Sequence, residues 1–285
     1  MGLLDGLEGF GLGGLKSVKL YEEPQEEKKE PEPEPEPEKV VDESDFLMDK
    51  EFECHICGKR TKQRIVRTGR TKLKATDLDL RPIYDGVDVI KYGVVVCPFC
   101  GYAALLNYYA PLPKPHRQMI KENICAKFKQ MPTFMPKKIS YEDALTRYKL
   151  ALLNAVVRQA KSSEKAYICL RTAWLLRGMR YSYDIETAEG RKMALVCKKD
   201  EREYLLNALE GFQKARTTEP PPIAGMDENT MDYLIAAMCI ELNQDLDTAA
   251  KLLSNVKAAK NATKSQKDRA ADLLERLKNM MREAQ

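Results

Sequence analysis

The chain has little of what most enzymes use for chemistry. It contains only two histidines among 285 residues, no glycine-rich phosphate loop and no nucleophile motif, so few groups are present that could catalyse a reaction. No hydrophobic run approaches the length of a membrane span, and no basic segment followed by a long apolar run marks an export signal. These absences predict a protein that is not an enzyme, that lies in the cytoplasm and that does not associate with membranes.

Cysteine, in contrast, occurs in a pattern with a chemical meaning. Cys54 and Cys57 form one Cys-x-x-Cys pair, Cys97 and Cys100 form a second, and a glycine follows each pair. Thiolates at i and i+3 of a tight turn bind one tetrahedral ion together, and such a turn favours a glycine with positive φ. We therefore predict one structural zinc ion (Zn2+) held by Cys54, Cys57, Cys97 and Cys100.

Two alternatives to this ligand set remain open. The cysteines could form disulfides or be plain buried thiols, although disulfides need an oxidising compartment. His55 could replace a thiolate, although adjacent residues rarely point at the same ion. The 39 residues between the pairs exceed the roughly 12–20 of compact zinc ribbons, which predicts a larger β subdomain. The other cysteines are expected to be free thiols: Cys125, Cys169, Cys197 and Cys239.

Charge is distributed unevenly, although the formal net charge is only +4. Residues 22–49 carry 13 acidic and three basic side chains and alternate proline with glutamate over residues 31–38. This composition predicts a disordered, extended linker, because like charges repel and few apolar residues are available for a core. Residues 51–140 have the opposite balance, with 17 basic and seven acidic side chains.

A basic stripe without any acidic residue lies within this second segment. It consists of Lys59, Arg60, Lys62, Arg64, Arg67, Arg70, Lys72 and Lys74. A solvated surface is the simplest interpretation. The alternative is contact with the phosphate backbone of a nucleic acid, since such contacts release counterions. In that case the acidic linker would compete with nucleic acid for the stripe and regulate binding.

The first 21 residues combine leucine with six glycines. At about 100° per residue their apolar side chains fall on one side of a helix, which is compatible with an amphipathic docking helix. Glycine destabilises an isolated helix, so a disordered leader is the other interpretation. Attachment to a membrane surface is disfavoured, because the segment lacks a basic polar face.

Two stretches before residue 110 favour strands, at residues 63–68 and 87–96, and the sequence becomes helical from Ser140 onward. Helix-start signals occur at Ser140, Asp200 and Thr263. We predict helices near 141–160, 163–179, 186–198, 200–217, 228–243, 246–257 and 264–283. The helix–turn–helix at residues 231–253 resembles a tetratricopeptide unit, and Trp174 is expected to anchor a core.

These patterns together predict an α+β multidomain protein. A small β-rich zinc-ribbon-like domain is expected at residues 50–139, and an all-α tetratricopeptide-like helical repeat domain at 140–285, preceded by a disordered acidic N-terminal arm. Stacked repeats form a concave surface that holds peptides. The expected function is therefore that of a zinc-binding interaction or scaffold protein with a protein partner, a peptide or helix, on the repeat surface.

Several motifs together resemble a known family: Cys54-x-x-Cys57, Asp77, Tyr84, the run from Tyr92 to Ala103, and Ala173-Trp174. The family is an uncharacterised bacterial one, the domain of unknown function catalogued as number twenty-two twenty-five. The resemblance covers about residues 50–260. Its members often have Asn-Pro where this chain has Asp88-Val89. The resemblance implies a zinc-bearing N-terminal part joined to a tetratricopeptide-like C-terminal part, and it implies no activity.

Overall fold

The computed structural model describes residues 42–133 and 136–283 of the chain. Within these residues, six short strands come first: β1 (Leu47–Glu53), β2 (Arg60–Val66), β3 (Leu73–Thr76), β4 (Pro82–Tyr84), β5 (Val94–Val96) and β6 (Ala103–Leu105). Seven α-helices follow: α1 (Lys114–Ile120), α2 (Tyr141–Val157), α3 (Ser162–Ser182), α4 (Ala188–Thr218), α5 (Glu228–Leu242), α6 (Leu246–Ala258) and α7 (Lys264–Glu283). A small β region followed by a helical region confirms the predicted fold class.

The predicted N-terminal arm lies mostly outside the described residues. This holds for the leader at residues 1–21 and for the acidic linker up to residue 41. The last residues assigned to the linker, 42–49, are structured. They form a 3₁₀ turn at Glu43–Phe46 and the beginning of β1, so regular structure begins before residue 50.

The strands pair as three antiparallel hairpins, β1 with β2, β3 with β4 and β5 with β6. In the first hairpin Glu53 pairs with Arg60, and in the third Val96 pairs with Ala103. The turn of the first hairpin is therefore residues 54–59, and that of the third is residues 97–102. Each Cys-x-x-Cys pair thus occupies the turn of its own hairpin, and the β3–β4 hairpin lies in the long segment between them.

One predicted strand is corrected by the structure. Only Val94–Val96 of the predicted strand at residues 87–96 forms a strand, because Val89–Tyr92 form a 3₁₀ turn. Asp88 caps this turn, since its carboxylate accepts a hydrogen bond of 3.0 Å from the backbone N–H of Ile90. A capping carboxylate offers the backbone an alternative to strand pairing. It outweighs the β propensity of the neighbouring valines.

Two of the predicted helix starts are confirmed. Ser140 Oγ accepts a hydrogen bond of 3.0 Å from the backbone N–H of Asp143 and so caps α2. At the start of α7, Thr263 Oγ accepts from the backbone N–H of Gln266 at 3.2 Å, and Gln266 Oε1 accepts from the backbone N–H of Thr263 at 2.8 Å. These reciprocal bonds satisfy N–H groups that the first turn of a helix leaves unpaired.

The third helix start, predicted at Asp200, is wrong. The structure has one helix of 31 residues, α4, where the sequence suggested two helices separated near residue 199. Cys197, Glu201 and Leu205 are all buried on one face of this helix, at i, i+4 and i+8. Because the buried face continues through the predicted break, and no glycine or proline lies near residue 199, the helix continues as well.

The β region and the helices share one hydrophobic core. Tyr148 of α2 is fully buried, and its hydroxyl donates a hydrogen bond of 2.8 Å to the carbonyl oxygen of Ile90. Trp174 of α3 belongs to the same core, as predicted. Helix α3 packs against both α2 and α4, while α5, α6 and α7 pack against one another and α5 also contacts α4. Among the described helices, none has both the length and the hydropathy of a bilayer-spanning segment.

Candidate metal centre

The two Cys-x-x-Cys turns have the same backbone geometry. In the first, the backbone N–H of Gly58 donates to the carbonyl oxygen of Cys54 at 2.8 Å, and the N–H of Cys54 donates to Lys59 at 3.0 Å. In the second, Gly101 donates to Cys97 at 3.0 Å and Cys97 to Tyr102 at 2.8 Å. We call these turns knuckle 1 (residues 54–59) and knuckle 2 (residues 97–102).

The glycine of each knuckle has the left-handed conformation expected from the sequence. Gly58 has φ +73° and Gly101 has φ +76°, values that other residues adopt only at an energetic cost. The space around the two glycines differs. A Cβ at Gly58 would meet no atom within 4 Å, whereas one at Gly101 would come within 2.5 Å of the Phe128 ring. Knuckle 2 is therefore held against the rest of the protein, and knuckle 1 is more open.

The knuckles bring the four cysteine sulfurs together. All four Sγ atoms lie within 4.8 Å of one another. The Sγ atoms of Cys54 and Cys100 are 3.6 Å apart, and those of Cys57 and Cys97 are also 3.6 Å apart. A zinc ion with Zn–S bonds of about 2.3 Å needs S–S distances of about 3.8 Å in a tetrahedron. The observed spacing fits such an ion, and it is too long for disulfide bonds.

The thiols alter one another's ionisation. Hydrogen bonds from Cys100 and Cys54 lower the pKa of the Cys97 thiol to about 4. Hydrogen bonds to Cys54 and Cys97, together with burial, raise the pKa of Cys100, since a second thiolate would be repelled by the first. A divalent cation offsets this repulsion and allows all four thiols to ionise, so metal binding would release protons.

A cluster of aromatic rings lies beside knuckle 1. The Tyr109 ring lies 5.6 Å from Phe52, 5.1 Å from His55 and 5.4 Å from Tyr102, measured between ring centroids. The group of side chains able to hold a metal contains the four cysteines and not His55. The alternative in which His55 is a ligand therefore has no support from the geometry.

All eight cysteines are free of disulfides, which leaves the other four as thiols, as expected.

The basic stripe is divided into two parts by the fold. Its first part lies on β2, directly opposite acidic residues of β1: Arg64 pairs with Asp49 at 3.1 Å, and Arg60 lies 3.6 Å from Glu51 and 3.8 Å from Glu53. Two further members have other contacts. Lys59 lies over the Phe99 ring, and Arg67 donates a hydrogen bond to the carbonyl oxygen of Leu47. These contacts neutralise or occupy much of the positive charge.

The second part of the stripe follows β2. Arg70, Lys72 and Lys74 are exposed, and no ion-pair partner for them, or for the exposed Lys62, lies among residues 42–133 and 136–283. The sequence did not reveal this division, because the acids of β1 precede the stripe and only strand pairing places them opposite it.

A second cluster, around Arg177 of α3, was not predicted. Arg177 uses all five of its N–H donors: Nε binds Glu201 at 2.6 Å, two donors bind Asp79 at 3.0 and 2.9 Å, one binds Asp77 at 3.1 Å and one binds Glu241 at 2.7 Å. Asp77 and Asp79 belong to the turn between β3 and β4, while Glu201 and Glu241 belong to α4 and α5. This cluster, the Arg177 clamp, therefore fastens the segment between the knuckles to the helices.

Trp174 completes the clamp. Its indole Nε1–H donates a hydrogen bond of 2.9 Å to Asp79, whose side chain is fully buried. The sequence contained a weak signal for the clamp, because Arg177 directly follows the apolar residues 173–176, and an arginine needs a partner when it is buried. It could not identify the partners, since Asp79 precedes Arg177 by 98 residues.

The clamp shifts the ionisation of its members. Burial alone would lower the pKa of Arg177, but the charges of Asp79 and Glu241 outweigh burial and raise it. Burial raises the pKa of Glu241 to about 7, although Arg177 opposes the shift. Arg177 therefore stays charged, while Glu241 titrates near neutral pH.

The fold and the site together define a class of protein. Two cysteine knuckles on separate hairpins form one four-sulfur cluster, and the segment between them is clamped to a helical region that shares its core. The chain belongs to a family described as "Uncharacterized protein conserved in bacteria (DUF2225)", whose model matches residues 47–284. The match confirms the resemblance and extends beyond its expected end near residue 260. No curated protein and no solved structure matches the chain.

Proposed function

We propose that the protein is a non-catalytic zinc-binding interaction protein, in which Cys54, Cys57, Cys97 and Cys100 hold one structural zinc ion and the helical region holds a protein partner. The four-sulfur cluster is the observation that supports the metal. Four thiolates complete a tetrahedral set and leave no position for a water molecule or a substrate, which is the mark of a structural site rather than a catalytic one. Free thiols suit the reducing cytoplasm, the compartment we propose.

The position of the cluster indicates what a zinc ion would stabilise. Cys54, Cys97 and Cys100 are buried in a small apolar group with Ile120 and Ile124, which follow the β region in the chain. A zinc ion bound to both knuckles would fix the first and third hairpins relative to each other and to this segment. It would thereby hold in place the β3–β4 turn that carries Asp77 and Asp79.

Metal analysis of the purified full-length chain tests this proposal. We expect one zinc ion per chain, and its loss on Cys97→Ser. Cys169→Ser is the matched control, because Cys169 is a buried cysteine outside the cluster. Hydrogen exchange should show that Cys97→Ser loses protection at residues 97–105 and 120–125 while α5–α7 keep theirs. Full zinc content in Cys97→Ser would show that Cys97 is not a ligand. One equivalent of iron in the wild type would show that the bound metal is not zinc.

Nucleic-acid binding through the basic stripe is the second candidate, supported by Arg70, Lys72 and Lys74, which are exposed and form no ion pair with any described residue. The ion pairs between β1 and β2 are the reason that we rank it second. Binding of labelled single-stranded and duplex RNA should be measured at several salt concentrations. A steep salt dependence, reduced in the triple alanine variant and increased by deletion of residues 22–41, would support this candidate and the regulatory role of the acidic arm. Weak binding that salt does not change would exclude both.

A further inference from the structure

A groove runs along one side of the first three long helices. Helix α3 contacts both α2 and α4 and forms the floor, while α2 and α4 form the walls. The cavity in this groove has a volume of about 590 Å³. Its lining residues on α4 recur at helical spacing from Asp200 to Lys214, a length of about 21 Å at 1.5 Å per residue. The groove therefore matches about four turns of a helix.

The floor of the groove is closely packed, and its Ala166 and Cys169 are small apolar residues. Gly211 of α4 faces Ala166 of α3, and a Cβ at Gly211 would come within 2.8 Å of the Ala166 Cβ. The floor continues through Cys169, and Leu152 and Val156 of α2 line one wall. Val156 is 54% exposed although it is a large apolar side chain. Small residues on the floor, with a half-buried leucine and an exposed valine on a wall, suit the apolar stripe of another helix.

The two sides of the groove carry opposite charges. Lys149 of α2 and Lys165 of α3 lie on one side, while Asp200, Glu203 and Glu210 of α4 lie on the other, where Lys214 at the end of the α4 wall leaves the net charge negative. Within the part of the chain that the structure describes, none of these six side chains takes part in an ion pair. The lysines and the carboxylates are thus available to a molecule that lies between them.

We propose that this groove binds an amphipathic helix of a partner protein, with acidic residues along one flank of its apolar stripe and basic residues along the other. The acidic flank would face Lys149 and Lys165, and the basic flank would face the carboxylates of α4. Turning the helix end for end exchanges its flanks, so the opposite charges fix its direction as well as its identity. This inference rests on the proposed function and names the partner surface and the chemistry of the partner.

A displayed library of helical peptides tests the proposal. The peptides share a 14-residue amphipathic frame, matched to a groove of about 21 Å, and their apolar stripe and both flanks are varied. Selection on the full-length chain should enrich peptides with one acidic and one basic flank. Selection on the variant Lys149→Glu/Lys165→Glu, whose groove would be acidic on both sides, should instead enrich peptides with two basic flanks.

Binding of one selected peptide, measured by fluorescence anisotropy, gives the magnitude. Lys149→Glu/Lys165→Glu should weaken binding at least about tenfold, since each reversed pair changes attraction into repulsion. The matched control is Lys251→Glu/Lys257→Glu, which changes the net charge by the same amount. Both lysines are on α6, outside the groove, so this variant should bind the peptide as the wild type does. Val156→Asp should also abolish binding, and its exposed position makes misfolding an implausible cause.

Three results would overturn the proposal: no enrichment on the wild type, enrichment without charged flanks, or equal weakening by the α6 control. Failure of the proposed function is distinguishable. If partners isolated with the full-length chain are retained by Lys149→Glu/Lys165→Glu, the protein still holds a partner and only the groove is wrong. If no partner protein is isolated with the wild type and no peptide is enriched, both proposals fail.

Discussion

Replacement of Arg177 by methionine should destabilise the junction between the β region and the helices. Methionine keeps the apolar stem of the side chain and removes only the guanidinium, whose five donors bind four carboxylates. The matched control is Arg180→Met. Arg180 lies one turn further along α3, and its side chain is 21% exposed rather than 7%. Among the described residues its only carboxylate partner is Glu201, at 3.3 Å.

The size of the effect follows from what the substitution leaves behind. Asp79 and Glu201 are 0% and 4% exposed, so water cannot replace the lost partner. Removal of one partner from a buried ion pair typically costs about 3–5 kcal/mol. For a protein of this size such a loss lowers Tm by roughly 6–20 °C. Asp79 keeps its bond to Trp174 and Glu201 keeps Arg180, so we do not expect a larger loss. Arg180→Met should cost about 1 kcal/mol or less.

Urea unfolding followed by fluorescence measures this difference. Trp174 is the only tryptophan of the chain and donates a hydrogen bond to Asp79 within the clamp, so its emission reports local opening. Circular dichroism reports loss of the helices. In Arg177→Met we expect the fluorescence transition to shift more than the circular dichroism transition. The destabilisation should be smaller at pH 5 than at pH 8, because Glu241, whose pKa is about 7 although Arg177 lowers it, is protonated and uncharged at the lower pH.

Three results would refute this reasoning. A loss below about 1 kcal/mol would show that the clamp contributes no more than a surface ion pair. An equal loss in Arg180→Met would show that the effect is general to arginines on α3 and does not depend on the four carboxylates. A loss that is independent of pH would show that repulsion between the carboxylates is not its cause.

Two further predictions concern the knuckles and the clamp. Gly58→Ala should lower the free energy of unfolding by about 1–2 kcal/mol, because alanine is strained at positive φ. Gly101→Ala should lower it by about 1–3 kcal/mol more, because the added Cβ would also meet the Phe128 ring. Equal losses in urea unfolding would contradict this difference. Glu241 has a folded pKa of about 7 against an ordinary 4.5, so its contribution to stability is fully present below pH 4.5 and is lost as the pH rises through 7. Glu241→Gln should remove this part of the pH dependence of unfolding, and an unchanged profile would contradict the assignment.

The sequence by itself determined the features that depend on neighbours in the chain. The knuckle glycines, the four cysteines and the capping residues Ser140 and Thr263 act through backbone groups a few residues away. Their conformation could therefore be inferred from spacing and residue type. The free cysteines and the buried position of Trp174 also followed from the sequence, since they depend on the apolar character of the surrounding residues.

Only the tertiary structure decided the features that depend on distant segments. Helix α4 continues through Asp200 because its buried face is covered by other elements, which no local signal shows. The basic stripe is partly neutralised because β1 pairs with β2 and places acids opposite it. The Arg177 clamp joins residues up to 100 positions apart, and the groove exists only because α2 and α4 flank α3. Burial and opposite charge decide these features, and both are set by the packing of the whole chain.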